Sequence, residues 1–301
     1  MTITQQVVKL DGIRFSDAGS TTPPLNLPLL DGLSSIGWAF SARRLATAYT
    51  GHIMKLRRAV DNAERDFDAS ANMAAEIASW SLGGDVFVSI WYDQSGNGRH
   101  AAQPTTALQP SICVAGTVST INGIPVVRFS GGSSARQVLV GASADLYGAG
   151  GASVVAVTGL HTGQLAVLGM ERGAGTSQFV YGQQATSYTL TGAVRNEAGT
   201  FELAAGTVNE DPDAFPAATA SRFVVRDTGT VWKKRVRGTD LADVAYTRAG
   251  AHSFTQHYIG APSTTGTGWS GAIGELIGAR KVWSADELSL IAASQNSAYG
   301  L

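Results

Sequence analysis

The residues of this sequence that could perform chemistry are a set of carboxylates in its second half. Glycosidic-bond hydrolysis needs two carboxyl groups, about 5 Å apart in retaining enzymes and about 6.5–9.5 Å apart in inverting ones. The available groups are Glu171, Glu197, Glu202, Glu210, Asp211, Asp213 and Glu275. No two of them occupy matching positions on neighbouring predicted strands, so their spacing alone assigns no catalytic residue.

Glu275 has the most regular surroundings of these carboxylates. It lies in the middle of residues 273–277, a run that reads as a β-strand. Because side chains alternate between the two faces of a strand, Glu275 fits the outward face of that strand. We predict this structural role for it.

The sequence contains no recognisable metal or cofactor site. Its five histidines lack metal-ligand spacing, and its one cysteine, Cys113, excludes a multi-cysteine zinc site. Residues 266–271 match the pattern G-x-G-x-x-G, but a strand follows them where a dinucleotide site needs a helix. We therefore expect no cofactor and no metal, and a buried, unreactive Cys113.

A second candidate is the polar stretch that follows the apolar run 86–92. Asp93, Gln94, Asn97 and His100 surround two glycines in the segment WYDQSGNGRH. Such residues could bind a sugar, and they could also supply the hydrogen bonds and positive φ angles of a sharp turn. We favour the turn. The possible carbohydrate-binding residues are Trp91, Asp93, Asn97, His100 and Trp269.

Composition excludes several classes of partner. The formal net charge of −1 gives no electrostatic basis for binding nucleic acid or an anionic membrane. No apolar run is long enough to cross a bilayer, and the N-terminus lacks the pattern of a signal peptide. We therefore expect synthesis in the cytoplasm, without membrane insertion.

The elements that must position these residues are mostly short strands. A helix is predicted over residues 38–49, a polar segment over 61–68, a second helix over 73–80 and a buried strand over 86–92. Ser284 and Glu287 form a capping box that starts a C-terminal helix. Further strands are predicted at 53–60, 126–130, 153–158, 164–170, 178–181, 201–204, 222–226, 231–236, 256–260 and 273–282, with residues 227–229 as a hairpin loop.

This order of elements predicts two parts. Residues 1–33, which contain three prolines, predict an extended arm, and residues 34–301 predict one all-β domain. Short strands separated by glycine turns favour a two-sheet antiparallel sandwich or jelly roll with a few short helices. The apolar residues of the arm could order by adding a strand to a neighbouring subunit. The alternative is an edge strand on its own domain.

Several segments together resemble a known family. Residues 41–51, 56–64 and 91–103, with Tyr92-Asp93-Gln94-Ser95-Gly96-Asn97-Gly98 at their centre, resemble the catalytic domain of α-L-arabinofuranosidase B. Residues 269–301 resemble the closing strand and helix of concanavalin A-like, laminin-G-like jelly rolls. The resemblance implies that residues 34–301 form a concanavalin A-like sandwich.

The resemblance also implies site residues. The family's sugar pocket uses adjacent cysteines, its catalytic acid is an aspartate in a late glycine-rich turn, and its nucleophile is a mid-chain glutamate. Here residues 258–263 hold no carboxylate, Glu171 takes the mid-chain position without a local match, and there is one cysteine. We therefore expect no hydrolysis of aryl arabinofuranosides. The alternative is an α-L-arabinofuranosidase-like glycoside hydrolase.

A sandwich with a short arm and no signal peptide also resembles structural and adhesion proteins of tailed phages and phage-like particles. That resemblance implies a non-catalytic virion protein of the head spike, decoration or tail fibre type. Its arm would dock on other copies or on particle proteins, and its sandwich would face a host-surface polysaccharide. We state this as the main expectation from the sequence.

Overall fold

The computed structural model describes residues 28–131, 136–161, 167–184, 190–204, 219–262 and 268–301. Within these residues the chain consists mainly of antiparallel β-strands. Its helices are α1 (Met73–Trp80), α2 (Ala285–Tyr299) and three 3-10 turns at Leu29–Gly32, Thr106–Leu108 and Tyr147–Ala149.

The strands fall into two series along the chain. The first series is β1 (Ile36–Ser41), β2 (Met54–Arg58), β3 (Glu64–Phe67), β4 (Val86–Trp91), β5 (Ala101–Ala102), β6 (Ser111–Val114), β7 (Thr117–Val118), β8 (Thr120–Ile121), β9 (Ile124–Pro125), β10 (Val127–Phe129) and β11 (Leu139–Ala142). The second is β12 (Ala152–Gly159), β13 (Val167–Arg172), β14 (Gln178–Gln184), β15 (Leu190–Arg195), β16 (Phe201–Leu203), β17 (Ser221–Asp227), β18 (Val231–Val236), β19 (Thr239–Asp240), β20 (Val244–Ala245), β21 (Gln256–Ile259) and β22 (Gly271–Ala279).

Hydrogen bonds join twenty of the strands in the described ranges into one network. Strand β22 pairs with β12 and also with β1 and β10, and β12 continues through β17 to β18. From β10 the network runs through β6 to β4. It then passes through β5, β11, β21 and β13 to β14, β15 and β16. The result is an open sandwich with the main core inside it.

Large aromatic side chains fill this core. Trp38, Trp91, Trp232 and Trp269 each have 0% of their surface exposed. Fully burying a large apolar side chain contributes about 1.5–3 kcal/mol, so each of these residues stabilises the sandwich. Cys113 is buried in the same cluster, as predicted, and burial raises the pKa of its thiol.

The predicted helix over residues 38–49 is wrong. Strand β1 occupies its first part, because Trp38 and Phe40 face the main core while Ala39 faces a second cluster beneath α2. A strand that is buried on both faces carries apolar residues on both of them, so some of these residues also fall at the i, i+4 spacing of a helix. The polar segment 61–68 likewise contains a strand, β3, which pairs with β2.

Other predicted elements are confirmed. Strands β4 and β18 and helix α1 agree with the sequence to within a residue or two. Ser284 Oγ accepts the Glu287 backbone N–H and the Glu287 carboxylate accepts the Ser284 N–H, so the capping box at α2 forms. The hairpin between β17 and β18 turns at Gly229, whose φ of +87° suits glycine.

Most of the predicted arm, residues 1–27, lies outside the described residues. Its last part packs on its own chain, because Leu29 and Leu30 join Trp283, Leu288 and Ile291 in the cluster beneath α2. Docking through the arm therefore stays a prediction, as do its partners and the place where the protein acts. None of the helices in the described ranges is long and apolar enough to span a membrane.

Candidate functional site

The segment after β4 is a tightly bonded turn. Asp93 is 1% exposed, and its Oδ1 accepts the backbone N–H groups of Ala39 and Ser95 at 2.8 and 2.9 Å. Its Oδ2 accepts the Ser95 hydroxyl at 2.8 Å and the Arg99 N–H at 3.0 Å. Four donors therefore satisfy both carboxylate oxygens, and the side chain fixes the turn to β1.

The amide side chains of the turn bind other strands and loops. Gln94 accepts the Leu45 N–H at 2.8 Å and donates to the carbonyls of Ser41 and Arg43. Asn97 donates to the carbonyls of Ile36 and Gly37 at 2.9 and 3.1 Å. This geometry is that of a structural turn.

We expect Gly98→Val to destabilise the protein by about 1–3 kcal/mol, because Gly98 has a φ of +69° that β-branched residues avoid. A side chain would meet no neighbouring atom there, so the backbone conformation alone sets the cost. Thermal unfolding measures it. Gly175→Val is the matched control, since Gly175 has similar open space and no positive φ. Equal melting temperatures in the two variants would contradict the prediction.

The five residues proposed for carbohydrate binding do not form one surface. Trp91 and Trp269 are fully buried, so neither presents a ring face to solvent. Asn97 and His100 are exposed, and His100 Nδ1 accepts the Asp93 backbone N–H at 3.0 Å. Contact between these residues and a sugar stays a prediction.

Glu171 lies in the interior and not at an open site. It is 0% exposed and accepts the Ala144 and Leu146 N–H groups at 2.8 and 2.7 Å, with the Trp38 indole at 3.3 Å. Burial raises its pKa. The indole of Trp38 also stacks on His257, and burial lowers the pKa of that histidine to about 3. These contacts hold the core together.

The prediction that Glu275 faces outward is wrong. It is 0% exposed and forms a two-pronged ion pair with Arg43, at 2.8 Å to Nε and 3.1 Å to Nη2. Gln295 donates to the same carboxylate at 2.8 Å. All residues of β22 are buried, because α2 covers the face of the strand that would otherwise meet solvent. The alternation of side chains along β22 therefore does not place any of them in solvent.

Two other carboxylates converge at one end of the sandwich. Glu202 comes from β16 and Asp227 from the end of β17. The Tyr246 hydroxyl donates to Asp227 Oδ1 at 2.8 Å and lies 2.8 Å from the Tyr147 hydroxyl, which is 3.5 Å from Glu202 Oε2. The distance between Asp227 Oδ1 and Glu202 Oε2 therefore cannot exceed the total length of these three contacts. That total is below the upper limit of about 9.5 Å for a catalytic pair.

Polar groups from two further loops surround this pair. The Ala249 N–H and the Asn196 amide donate to Glu202 Oε1 at 2.9 and 3.2 Å. His252 Nε2 is 3.0 Å from Glu202 Oε2, and the Arg248 guanidinium lies 4.4 Å from the centre of the Tyr147 ring. We call Tyr147, Glu202, Asp227, Tyr246 and His252 the carboxylate–tyrosine cluster.

The environment of Asp227 gives it an unusual proton affinity. Burial raises its pKa to about 6, and the nearby Glu202 charge adds to the rise. The hydrogen bonds from the Gly229 N–H and Tyr246 act in the opposite direction but do not cancel it. Asp227 therefore holds its proton in mildly acidic solution, as a general acid must.

The raised pKa predicts a pH-dependent stability difference between the wild type and Asp227→Asn. The pKa of Asp227 is about 4 in the unfolded chain and about 6 in the folded protein. The folded state binds this proton more tightly, so the free energy of unfolding falls as pH rises from about 4 to about 6. We expect the wild type to lose about 3 kcal/mol relative to the neutral variant across this interval. Unfolding curves at several pH values measure this difference. A difference that does not change with pH would contradict the assigned environment.

The sequence indicated this cluster only in part. Glu202 was among the candidate carboxylates, and Asp227 was assigned to a hairpin loop. Glu197 is exposed in the β15–β16 turn, and Glu210, Asp211 and Asp213 lie outside the described residues. The described residues contain no group of three or more metal-ligating side chains.

The fold of this chain is similar to that of solved arabinofuranosidase structures. A GH54 α-L-arabinofuranosidase soaked with a cyclic sulfate inhibitor superimposes with a TM-score of 0.55 at 16% identity, covering 86% of this chain and 63% of that one. An arabinofuranosidase complexed with arabinofuranosyl-α-1,2-xylobiose gives 0.55 at 17% identity over the same shares. This chain thus spans less than two thirds of those proteins, and at such identities the likeness is one of fold.

The family model for the catalytic region of α-L-arabinofuranosidase B matches residues 35–212. The chain therefore belongs to this family. No curated protein sequence matches it.

The main functional expectation from the sequence is corrected by this match. A non-catalytic virion or phage-like particle protein was predicted, and the match to the family model for an α-L-arabinofuranosidase catalytic region overturns that prediction. The phage resemblance rested on a short arm and a missing signal pattern, which carry little information about chemistry. The resemblance to the arabinofuranosidase family is confirmed.

Proposed function

We propose that this protein is a glycoside hydrolase that removes α-L-arabinofuranosyl groups. The observation that carries the proposal is the carboxylate–tyrosine cluster in a chain of the arabinofuranosidase B family. Asp227, with its raised pKa, acts as the general acid towards the leaving oxygen, and Glu202 acts as the second carboxylate. We also propose that the layers around β22 and around β13 are the two sheets of a concanavalin A-like jelly roll.

Access to the cluster requires movement. Glu202 has 1% of its side chain exposed and Asp227 is 0% exposed, and the hydroxyls of Tyr147 and Tyr246 lie between them. A furanosyl ring reaches both carboxylates only when the two tyrosines separate. Its own hydroxyls then replace the tyrosine hydroxyls as partners of the carboxylates, so the buried oxygens keep their hydrogen bonds.

We expect the purified protein to release 4-nitrophenol from 4-nitrophenyl α-L-arabinofuranoside, the compound soaked into a mutant of a solved relative. The assay follows the absorbance of 4-nitrophenol over time, and 4-nitrophenyl β-D-xylopyranoside is the control substrate. Turnover of the arabinofuranoside alone supports the proposal. Absence of turnover across pH 4–7 in well-folded protein would refute it.

A further inference from the structure

A cleft lies against the Arg43–Glu275 pair. It has a volume of about 480 Å³, within the range of roughly 300–1,000 Å³ that ligand sites occupy. Its walls come from the segments 42–44, 69–74 and 122–125. We call it the arginine cleft. None of these segments contributes to the carboxylate–tyrosine cluster.

The cleft carries positive charge without an acidic lining. Arg43 and Arg44 both line it, and no carboxylate side chain does. Glu76 accepts the hydroxyl of the lining residue Ser70 at 2.7 Å, and its own side chain lines the neighbouring groove beside Trp80.

The two arginines have different roles in this charge. Arg43 is neutralised by Glu275, which uses its Nε and Nη2 and thereby fixes the guanidinium in place. Its Nη2 also donates to the Ser294 hydroxyl at 3.0 Å. Arg44 is half-buried and donates to the Tyr49 carbonyl, and it forms no ion pair with any described carboxylate. The cleft therefore presents the uncompensated positive charge of Arg44 beside the fixed, neutralised guanidinium of Arg43.

We infer that the arginine cleft binds the carboxylate of a uronic acid unit carried by the polysaccharide substrate. One net positive charge matches a monoanionic carboxylate, and a guanidinium such as that of Arg44 binds carboxylates through charge-assisted hydrogen bonds. Ala42, Ala69, Ala74 and Ile124 provide apolar wall for the C–H face of a sugar ring. The choice of a sugar as the bearer of the carboxylate rests on the proposed function.

The experiment measures binding on Asp227→Asn protein, so that no turnover interferes. Calorimetric titration compares a xylo-oligosaccharide bearing glucuronic acid, the same oligosaccharide without it, free glucuronate and inorganic phosphate. We expect the acidic oligosaccharide to bind at least tenfold more tightly than the neutral one, and Arg44→Gln to remove that difference. Arg237→Gln, which deletes one positive charge beside a different cleft, is the matched control and should leave it intact.

Equal binding of the acidic and neutral oligosaccharides overturns the inference, as does an Arg237→Gln loss equal to that of Arg44→Gln. Binding of phosphate without binding of either uronate ligand overturns the sugar assignment. Binding of free glucuronate lost in Arg44→Gln supports it. Because none of these readouts depends on hydrolysis, failure here is distinct from failure of the arabinofuranosidase assay.

Discussion

Glu202→Gln is expected to lower kcat on 4-nitrophenyl α-L-arabinofuranoside by about 10²–10⁴-fold, because it removes one of the two carboxylates that the reaction needs. Asp227→Asn is expected to do the same. The wild-type kcat/KM should also fall as pH rises through about 6, since Asp227 then loses the proton that it donates. Initial rates between pH 4 and 8 test both statements.

Glu197→Gln is the matched control for this prediction. It makes the same change five positions away, on an exposed side chain of the β15–β16 turn. It should retain activity, and all three variants should keep circular dichroism spectra of folded protein. Loss of activity at Glu197 with full activity at Glu202 would show that the catalytic pair lies elsewhere. An unchanged pH profile in Asp227→Asn would remove Asp227 from the general-acid role.

Arg43→Met is expected to destabilise the protein by about 3–5 kcal/mol, because the buried Glu275 would lose its counter-ion. The Gln295 amide and the Tyr299 hydroxyl would still contact the carboxylate, but neither carries a charge. Denaturant unfolding of the purified variant measures this cost.

Two further variants separate charge from packing. The double variant Arg43→Met/Glu275→Met should recover most of the lost stability, since an apolar pair of similar volume often replaces a buried ion pair without loss. Arg235→Met breaks an ion pair with the half-exposed Asp240 and should cost no more than about 1 kcal/mol. A double variant less stable than Arg43→Met would contradict the assignment of the cost to an unpaired charge.

The sequence predicted most strands because their ends are marked by local chemistry. Asp227 and Gly229 mark a hairpin, and Ser284 and Glu287 mark the start of α2. The prediction failed at β1, where both faces are buried. What covers a face depends on residues far along the chain, and for β1 the partner is β22, more than two hundred residues later.

The candidate site was harder to predict than the fold for the same reason. Asp227 and Glu202 are joined through Tyr147 and Tyr246, which come from other loops and lack a spacing relation to either acid. A raised pKa depends on burial in the folded chain, so no feature of the local sequence around Asp227 reveals it. The role of Glu275 was missed because its partner, Arg43, lies in the loop after β1, far from Glu275 in the sequence.

The position of β22 has a consequence for synthesis on the ribosome. This strand pairs with β1, β10 and β12, so three strands made early have an edge without hydrogen-bond partners until residues 271–279 emerge. Nascent chains of this protein therefore depend on protection from aggregation until β22 is made, and a stop codon before β22 yields a chain that cannot complete its core.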